Sequence, residues 1–337
     1  MNRRFSYTAA ALALLLCFTK AGMAQDNQKL AQTGLQFLSV ISDARAGAMG
    51  GAMTSLQSQS SALFFNPAGM AEGGRLFDVS FSRNTWIADI NHNLVSLSLR
   101  PADARFGVFG FSVQTVDYGA ILATAVSNDP NNQKGYDDLG TLSPSALAVG
   151  FGYAKALSDR FAVGSQIKWV RQTLGESTVP GAEDGATIKT KNEVSTLAFD
   201  FGTQFKTGLK SLAFGMSVRN FSQEIEYEQE SFQLPLLFTL GLSANLMDWL
   251  GANNKQQTMI FAIDATHPRD HSEQVIFALE YRLREILSVR GGYVTNNDED
   301  GPTFGFGLSK FGLQLDYAYT PFGVFDSVQR VTARFSK

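Results

Sequence analysis

The sequence predicts an all-β fold: a 14-stranded antiparallel transmembrane β-barrel with an N-terminal plug segment in its lumen. Three observations carry this expectation. Apolar residues recur with period two, the recurring stretches are long, and the connections between them alternate between tight and extended. The stretch FGLQLDYAYT shows the first most plainly. Phe311, Leu313, Leu315, Tyr317 and Tyr319 fall on one side of an extended chain, with Gly312, Gln314, Asp316, Ala318 and Thr320 on the other. In a soluble sandwich the apolar side would be the core, whereas in a barrel it would meet lipid.

The first residues point to export. Arg3 and Arg4 precede an apolar run from Ala9 to Phe18, and Gly22-Met23-Ala24 supplies small residues for cleavage, so residues 1–24 read as a signal peptide cut after Ala24. The run is too short to span a membrane as a helix. Cys17, the one cysteine, lies inside it. Leu16 before it and Phe18 after it do not fit a lipoprotein site. Of 28 basic residues three precede Ala24, which leaves 25 against 31 acidic ones, so nucleic-acid binding is not expected. No later segment is a long uncharged apolar run, so any crossing of a membrane must be made by strands.

Residues 25–74 stand in front of the barrel, and Leu30 to Gly73 does not alternate. GLQFLSVISDARAGAMGGAMTSLQSQSSALFFNPAGMAEGG is rich in Ala, Gly, Ser and Met, and Asn66-Pro67 marks a turn in which Asn66 can close an Asx turn. Two placements fit it, a plug in the lumen and a periplasmic tail. Its small residues favour the plug, because they allow close approach to a wall of similarly small residues.

Residues 75–337 form the barrel. About fourteen alternating stretches start near Leu76, Ile90, Ala104, Ser143, Arg160, Val194, Ser211, Leu234, Gln257, Gln274, Ile286, Pro302, Phe311 and Ser327. Most are nine residues or longer, close to the roughly nine to eleven that a tilted strand needs to cross a bilayer. Their second face is unusual for a wet surface. Leu147, Val149, Phe151 and Tyr153 oppose Ala146, Ala148, Gly150 and Gly152, and Phe304, Phe306 and Leu308 oppose Thr303, Gly305, Gly307 and Ser309. Small residues suit the crowded concave side of a closed sheet. The connections Asp117–Leu142, Arg171–Glu193 and Asn220–Gln233 read as long loops, separated by tight turns, as in a meander with short periplasmic turns. Met247–Lys255 is the exception, too long for a turn.

At this point a resemblance becomes specific. GLQFLSVISDARAGAMGG followed by FFNPAGMA, with SVRGGY, FGFGL, LDYAYTPFG and QRVTARF at the far end, resembles the PorV/PorQ family, itself similar to FadL-type transporters. The resemblance implies Arg45, Gly47, Met49, Gly50, Asn66, Pro67, Ala68 and Gly69 as plug residues. It also implies a bacterial outer-membrane location among lipid, and a role in type IX secretion with secreted proteins or secretion subunits as partners. The alternative it implies is a passive channel for hydrophobic small molecules. Gly69 places the resemblance with the broad family rather than with the specialised shuttle subunit.

Chemistry is sparse, and neither an enzyme nor a cofactor is expected. His267 and His271 read as a solvated loop, since no further ligand completes a metal site. His92 lies near the external end of its strand with serines in reach, but no spacing supports a triad. Asn297-Asp298-Glu299-Asp300 lacks a full calcium pattern, and no GK[ST] follows the Gly-rich runs. The inward ionisable residues are better candidates: Lys168, Asp200, Lys206, Arg219, Asp264, Glu280, Arg282, Arg290 and Asp316. A basic group facing lipid at the midplane costs about 2 to 4 kcal/mol, which fixes these residues inward. They are expected to brace wall to plug, with Arg45 paired to one of the carboxylates; a substrate path is the alternative.

Overall fold

The computed structural model describes residues 33–73, 75–127, 131–180, 187–227, 230–251, 256–296, 301–323 and 327–337. The expected signal peptide with Cys17, and the acidic run Asn297–Asp300, lie outside the described residues. The chain forms β1 (Phe77–Thr85), β2 (Asn91–Leu99), β3 (Val108–Asp117), β4 (Ile121–Val126), β5 (Tyr136–Leu142) and β6 (Ser145–Ala156). Then follow β7 (Phe161–Pro180), β8 (Thr187–Lys206), β9 (Ala213–Phe221), β10 (Ile225–Glu226), β11 (Ser231–Phe232) and β12 (Leu237–Asn245). The last six are β13 (Gln257–Pro268), β14 (Gln274–Leu283), β15 (Leu287–Val294), β16 (Pro302–Lys310), β17 (Leu313–Pro321) and β18 (Ser327–Ser336).

Fourteen of these close into one barrel, in the order β1-β18-β17-β16-β15-β14-β13-β12-β9-β8-β7-β6-β3-β2. Every neighbouring pair is antiparallel, and the seam is shut by β1 against β18, with Val79 opposite Phe335 and Phe81 opposite Ala333. Closure leaves no edge whose backbone groups would be stranded in hydrocarbon. The remaining four strands make two small hairpins, β4–β5 and β10–β11, at the end opposite the chain terminus. Among the described residues no helix is long and apolar enough to cross a membrane.

The alternation resolves into outside and inside. On β17, Leu313 and Leu315 are 60% and 54% exposed, while Asp316 and Ala318 are 1% and 0% exposed. The same holds around the wall, where Phe81, Phe111, Phe151, Phe201, Phe277 and Phe306 all point out. A continuous exposed apolar surface of this extent is not tolerated by a soluble monomer, and it matches the outward band of a membrane barrel. The short turns 157–160, 284–286 and 311–312 share one end with Phe77 and Lys337, whose backbones bond at 3.0 Å. That end is the periplasmic one by the rule that short turns face inward to the cell.

The expected long loops hold strand as well, with the β4–β5 hairpin within Asp117–Leu142 and the β10–β11 hairpin within Asn220–Gln233. The loop Arg171–Glu193 is in large part strand: β7 and β8 continue as a two-stranded arm up to Pro180 opposite Thr187, past a bulge between Thr173 and Gly175. β6 ends its pairing with β7 at Thr173, and β9 ends its pairing with β8 at Phe199, so the arm rises beyond the wall. Residues such as Glu176, Ser177, Lys189 and Lys191 give it no apolar side, which is why a test for apolar alternation misses it. The connection after β12 begins with a short helix, α2 (Leu246–Leu250), capped by Asn245, whose side chain accepts from the Met247 amide, and ended by Gly251 at φ 69°.

The segment from Thr33 to Gly73 runs through the barrel. Thr33 bridges Gln233 in the external β10–β11 region. At the other end Glu72 meets Lys206, which closes β8 at the periplasmic side. Between them lie the helix α1 (Ala44–Ala48) and 3-10 turns at Gln36–Leu38, Gln59–Phe64 and Pro67–Met70. α1 packs on β15 to β18, Gln59–Phe64 on β1 to β3, and Pro67–Met70 on β6 to β8. The glycines of the wall make room for it. A Cβ on Gly305 would lie 2.5 Å from that of Ala48, and one on Gly164 would lie 2.4 Å from the Pro67 carbonyl carbon and the Ala68 nitrogen. Backbone cannot yield as a side-chain tip can, so Gly164→Ala should lower stability by about 1 to 3 kcal/mol through overpacking. The loss should appear as a lower unfolding temperature in detergent and as protease cleavage between residues 33 and 73; an unchanged melting curve would contradict the fit.

Candidate functional site

The site is the interior itself, where plug side chains meet the inward residues of the wall. Arg45, on α1, reaches Glu280 of β14 at 2.7 Å. Glu280 is completely buried and also accepts from Arg290 at 2.9 Å and Arg282 at 3.1 Å. Arg290 continues to Asp316 at 2.7 Å, and Asp316 accepts from Gln314 at 2.7 Å. β14, β15 and β17 thus share one chain of charges, and the plug enters it through Arg45. Across the lumen Lys168 pairs with Asp200 at 2.8 Å. Asp200 also accepts from the Asn220 amide at 2.7 Å, at a bulge where Asn220 has φ 61°. Arg219, beside it, donates to the Phe64 carbonyl of the plug. Asp264 accepts from the Thr54 amide at 3.0 Å, and its second oxygen has no hydrogen-bond partner among the described residues.

These contacts engage eight of the nine inward candidates, Lys168, Asp200, Arg219, Asp264, Glu280, Arg282, Arg290 and Asp316, and the ninth, Lys206, pairs with Glu72 of the plug. Lys206 and Arg282 lie lower, at the periplasmic mouth, and are partly solvated. The plug residues also have distinct places. A Cβ on Gly47 would meet Arg330 at 2.6 Å, Met49 is wholly buried, and Gly50 takes φ 60°. Asn66 accepts from the Ala68 amide at 3.1 Å, closing the Asx turn over Pro67, and donates to the carbonyls of Thr54 at 2.7 Å and Thr203 at 3.0 Å. A Cβ on Gly202 would collide with the Asn66 side-chain oxygen. Ala68 is fully buried, and Gly69 fits against the Leu56 carbonyl.

Among the buried charges not singled out from the sequence are Arg330, Arg334, Asp43 and Asp78. Arg330 donates to the Ile41 carbonyl at 2.6 Å and to Thr320 at 2.7 Å. Arg334 donates to Ser61 and lies 3.8 Å from Asp43 and from Asp78. Asp43 caps α1 through the Ala46 amide at 2.9 Å, and Asp78 accepts from the Ser60 amide at 3.0 Å. The signal was present: Arg330, Thr332 and Arg334 alternate along β18 as Asp316 and Ala318 do along β17.

The histidines stand apart from any catalytic arrangement. His92 is buried edge-on to Trp86, with no hydrogen-bond partner for its Nδ1 among the described residues. His267 meets Glu273 at 3.0 Å and His271 meets Asp270 at 2.9 Å, both near the external rim. Among the described residues no group of three or more His, Cys, Asp or Glu is placed to hold a metal.

Above the plug, at its external side, is a cavity of about 400 Å³. Ile41, Phe65, Trp86, Leu236, Ile276 and Phe322 give it apolar walls, while Arg219, Arg330, Asp270 and His271 supply polar points. Leu35, Phe37, Leu38, Val116, Val170 and Leu234 form an apolar cluster between plug and wall. Tyr227 packs on that cluster from the β10–β11 loop, and burial, helped by Tyr118, pushes its hydroxyl up to about 12. It therefore stays a neutral donor, bonded to Gln172 at 3.2 Å.

No family profile matches this sequence, and no curated protein matches it. Solved structures do match in fold. The Pseudomonas putida toluene transporter TodX superposes with a TM-score of 0.55 at 14% identity, over 86% of this chain and 96% of that one. The Ralstonia pickettii toluene transporter TbuX gives 0.54 at 12% identity, over 87% and 97%. A FadL homologue from Pseudomonas aeruginosa gives 0.52 at 12% identity, over 87% and 98%. The chain therefore has the FadL-type fold of a 14-stranded outer-membrane barrel, and its apolar belt puts it in that membrane.

The charge network makes an ordered prediction. Glu280→Gln leaves three guanidinium groups around one amide, and removing one partner from a buried ionic group costs about 3 to 5 kcal/mol. Arg45→Met leaves Glu280 with Arg282 and Arg290. Unfolding in detergent should therefore shift further for Glu280→Gln than for Arg45→Met; the reverse order would contradict a carboxylate-centred network.

Proposed function

We propose that this chain is a non-catalytic outer-membrane channel that passes hydrophobic small molecules from the external side into the barrel, with residues 25–74 as its plug, residues 75–337 as its wall and cleavage after Ala24. The external cavity carries the reading. Its volume lies within the roughly 300 to 1,000 Å³ of small-molecule sites, and it combines apolar walls with a few polar points in the usual way. The fold shared with the toluene transporters TodX and TbuX supports it. On this reading the inward charges and the plug residues around Asn66 hold the plug to the wall, and the cavity residues are the ones that meet the passing molecule.

The other role that the PorV/PorQ resemblance implies is type IX secretion. Nothing in the comparisons supports that role or its secretion-system partners, whereas the channel reading accounts for a cavity of this size and lining.

Uptake of a labelled monoaromatic hydrocarbon and of a labelled fatty acid into liposomes carrying the purified barrel tests the proposal. Thr266→Trp, which places a large ring in the cavity from β13, should reduce uptake several-fold while the unfolding temperature stays close to that of the parent. Uptake no faster than in empty liposomes, alongside capture of exported proteins by the external loops, would favour secretion and defeat the channel.

A further inference from the structure

The lumen has a second cavity, about 680 Å³, on the periplasmic side of the plug. An apolar passage gives no reason for its composition. Among the described residues six cations border it, Arg45, Arg160, Lys206, Lys210, Arg282 and Arg334, against one carboxylate, Asp159. Three of the cations are neutralised from behind. Arg45 pairs with Glu280, Lys206 with Glu72, and Arg334 lies near Asp43 and Asp78.

The other three are not. Arg160, on the β6–β7 turn, has no ion-pair partner among the described residues; its guanidinium packs against Gly208, where a Cβ would come within 2.9 Å. Lys210 donates to the Asp248 carbonyl at 3.0 Å and sits 4.7 Å from the centre of the Trp249 ring, which holds the ammonium group without cancelling its charge. Arg282 shares Glu280 with two other arginines. A second feature is independent of the charges: the Ser55 hydroxyl, in the plug wall of the same cavity, is buried with no hydrogen-bond partner among the described residues. Cations gathered in a concave wall focus their field on its interior, and guanidinium groups offer paired donors to oxyanions.

We propose that this basin binds a multivalent oxyanion, a periplasmic solute bearing phosphate or several carboxylates. A neutral hydrocarbon would leave three cations unanswered and a single carboxylate would answer one, so separated charges of this number select a ligand with several anionic oxygens.

Isothermal titration of the full barrel in detergent with inorganic pyrophosphate, and separately with citrate, tests this. Saturable binding of about one equivalent is expected, weakening as salt is raised. Arg160→Gln combined with Lys210→Gln should weaken it about tenfold or more, by loss of two charge-assisted contacts. Arg282→Gln alone should give a smaller loss in the same direction. Lys134→Gln, on the external β4–β5 loop, should leave binding unchanged. Melting curves of each variant, matched to the parent, show that the barrel is intact. Absence of saturable heat with both anions, or binding that survives the double substitution, overturns the proposal.

Discussion

The backbone of a chain in hydrocarbon has nothing to bond to but itself, and the rest of this structure follows from that constraint. It forces the sheet to close, which β1 and β18 accomplish, and closure assigns every strand residue to lipid or to lumen. Once the sides are assigned, register is no longer free. A one-residue slip of β17 would put Asp316 among acyl chains and Leu315 among the lumen charges, so each inward ion also acts as a lock on pairing.

The lumen then has a difficulty of its own, because a ring of fourteen strands encloses more space than inward Gly, Ala and Ser can fill. The plug fills it, and the fit is reciprocal. Glycines at 164, 202, 215, 292 and 305 remove the wall's Cβ atoms where plug atoms approach. Inward polar side chains in turn bond plug carbonyls, Gln204 donating to Leu56 at 2.9 Å and Gln114 to Phe37 at 2.9 Å, while Asn66 of the plug donates to the Thr203 carbonyl of the wall at 3.0 Å. Burying so many charges is costly in itself, and ion pairs in such places specify a geometry more than they stabilise it. Here the geometry specified is that of plug against wall.

Much of this was legible in the sequence, for a physical reason. Lipid outside and a packed lumen inside impose a strict two-residue period, so all fourteen barrel strands could be placed from alternation, with Phe304, Phe306 and Leu308 against Gly305 and Gly307 as a typical case. What escaped had no such period. The β7–β8 arm and the β4–β5 and β10–β11 hairpins stand beyond the wall, where neither face is required to be apolar. Asp43 and Arg45 lie in a segment without regular periodicity, and which carboxylate Arg45 would meet depends on how α1 lies in the lumen, a property of tertiary packing. The placement of Asn66 shows the opposite case: Pro67 forbids helix at Asn66 and leaves its amide to bond elsewhere, and that local rule survives into the fold.

The plug divides the lumen into an apolar chamber on the external side and a cationic basin on the periplasmic side, which gives the two ends of the barrel different chemistry. Both depend on which side of the wall each residue faces. Single cysteines placed in turn from Leu313 to Tyr319, in a chain without Cys17, and spin-labelled in lipid vesicles, report this directly through collision with dissolved oxygen and with a water-soluble nickel complex. Labels at 313, 315, 317 and 319 should be relaxed strongly by oxygen and hardly by nickel, while labels at 316 and 318 should respond weakly to both. Strong nickel relaxation at 313 and 315, or no alternation along the strand, would contradict a wall with lipid on one side and the plug on the other.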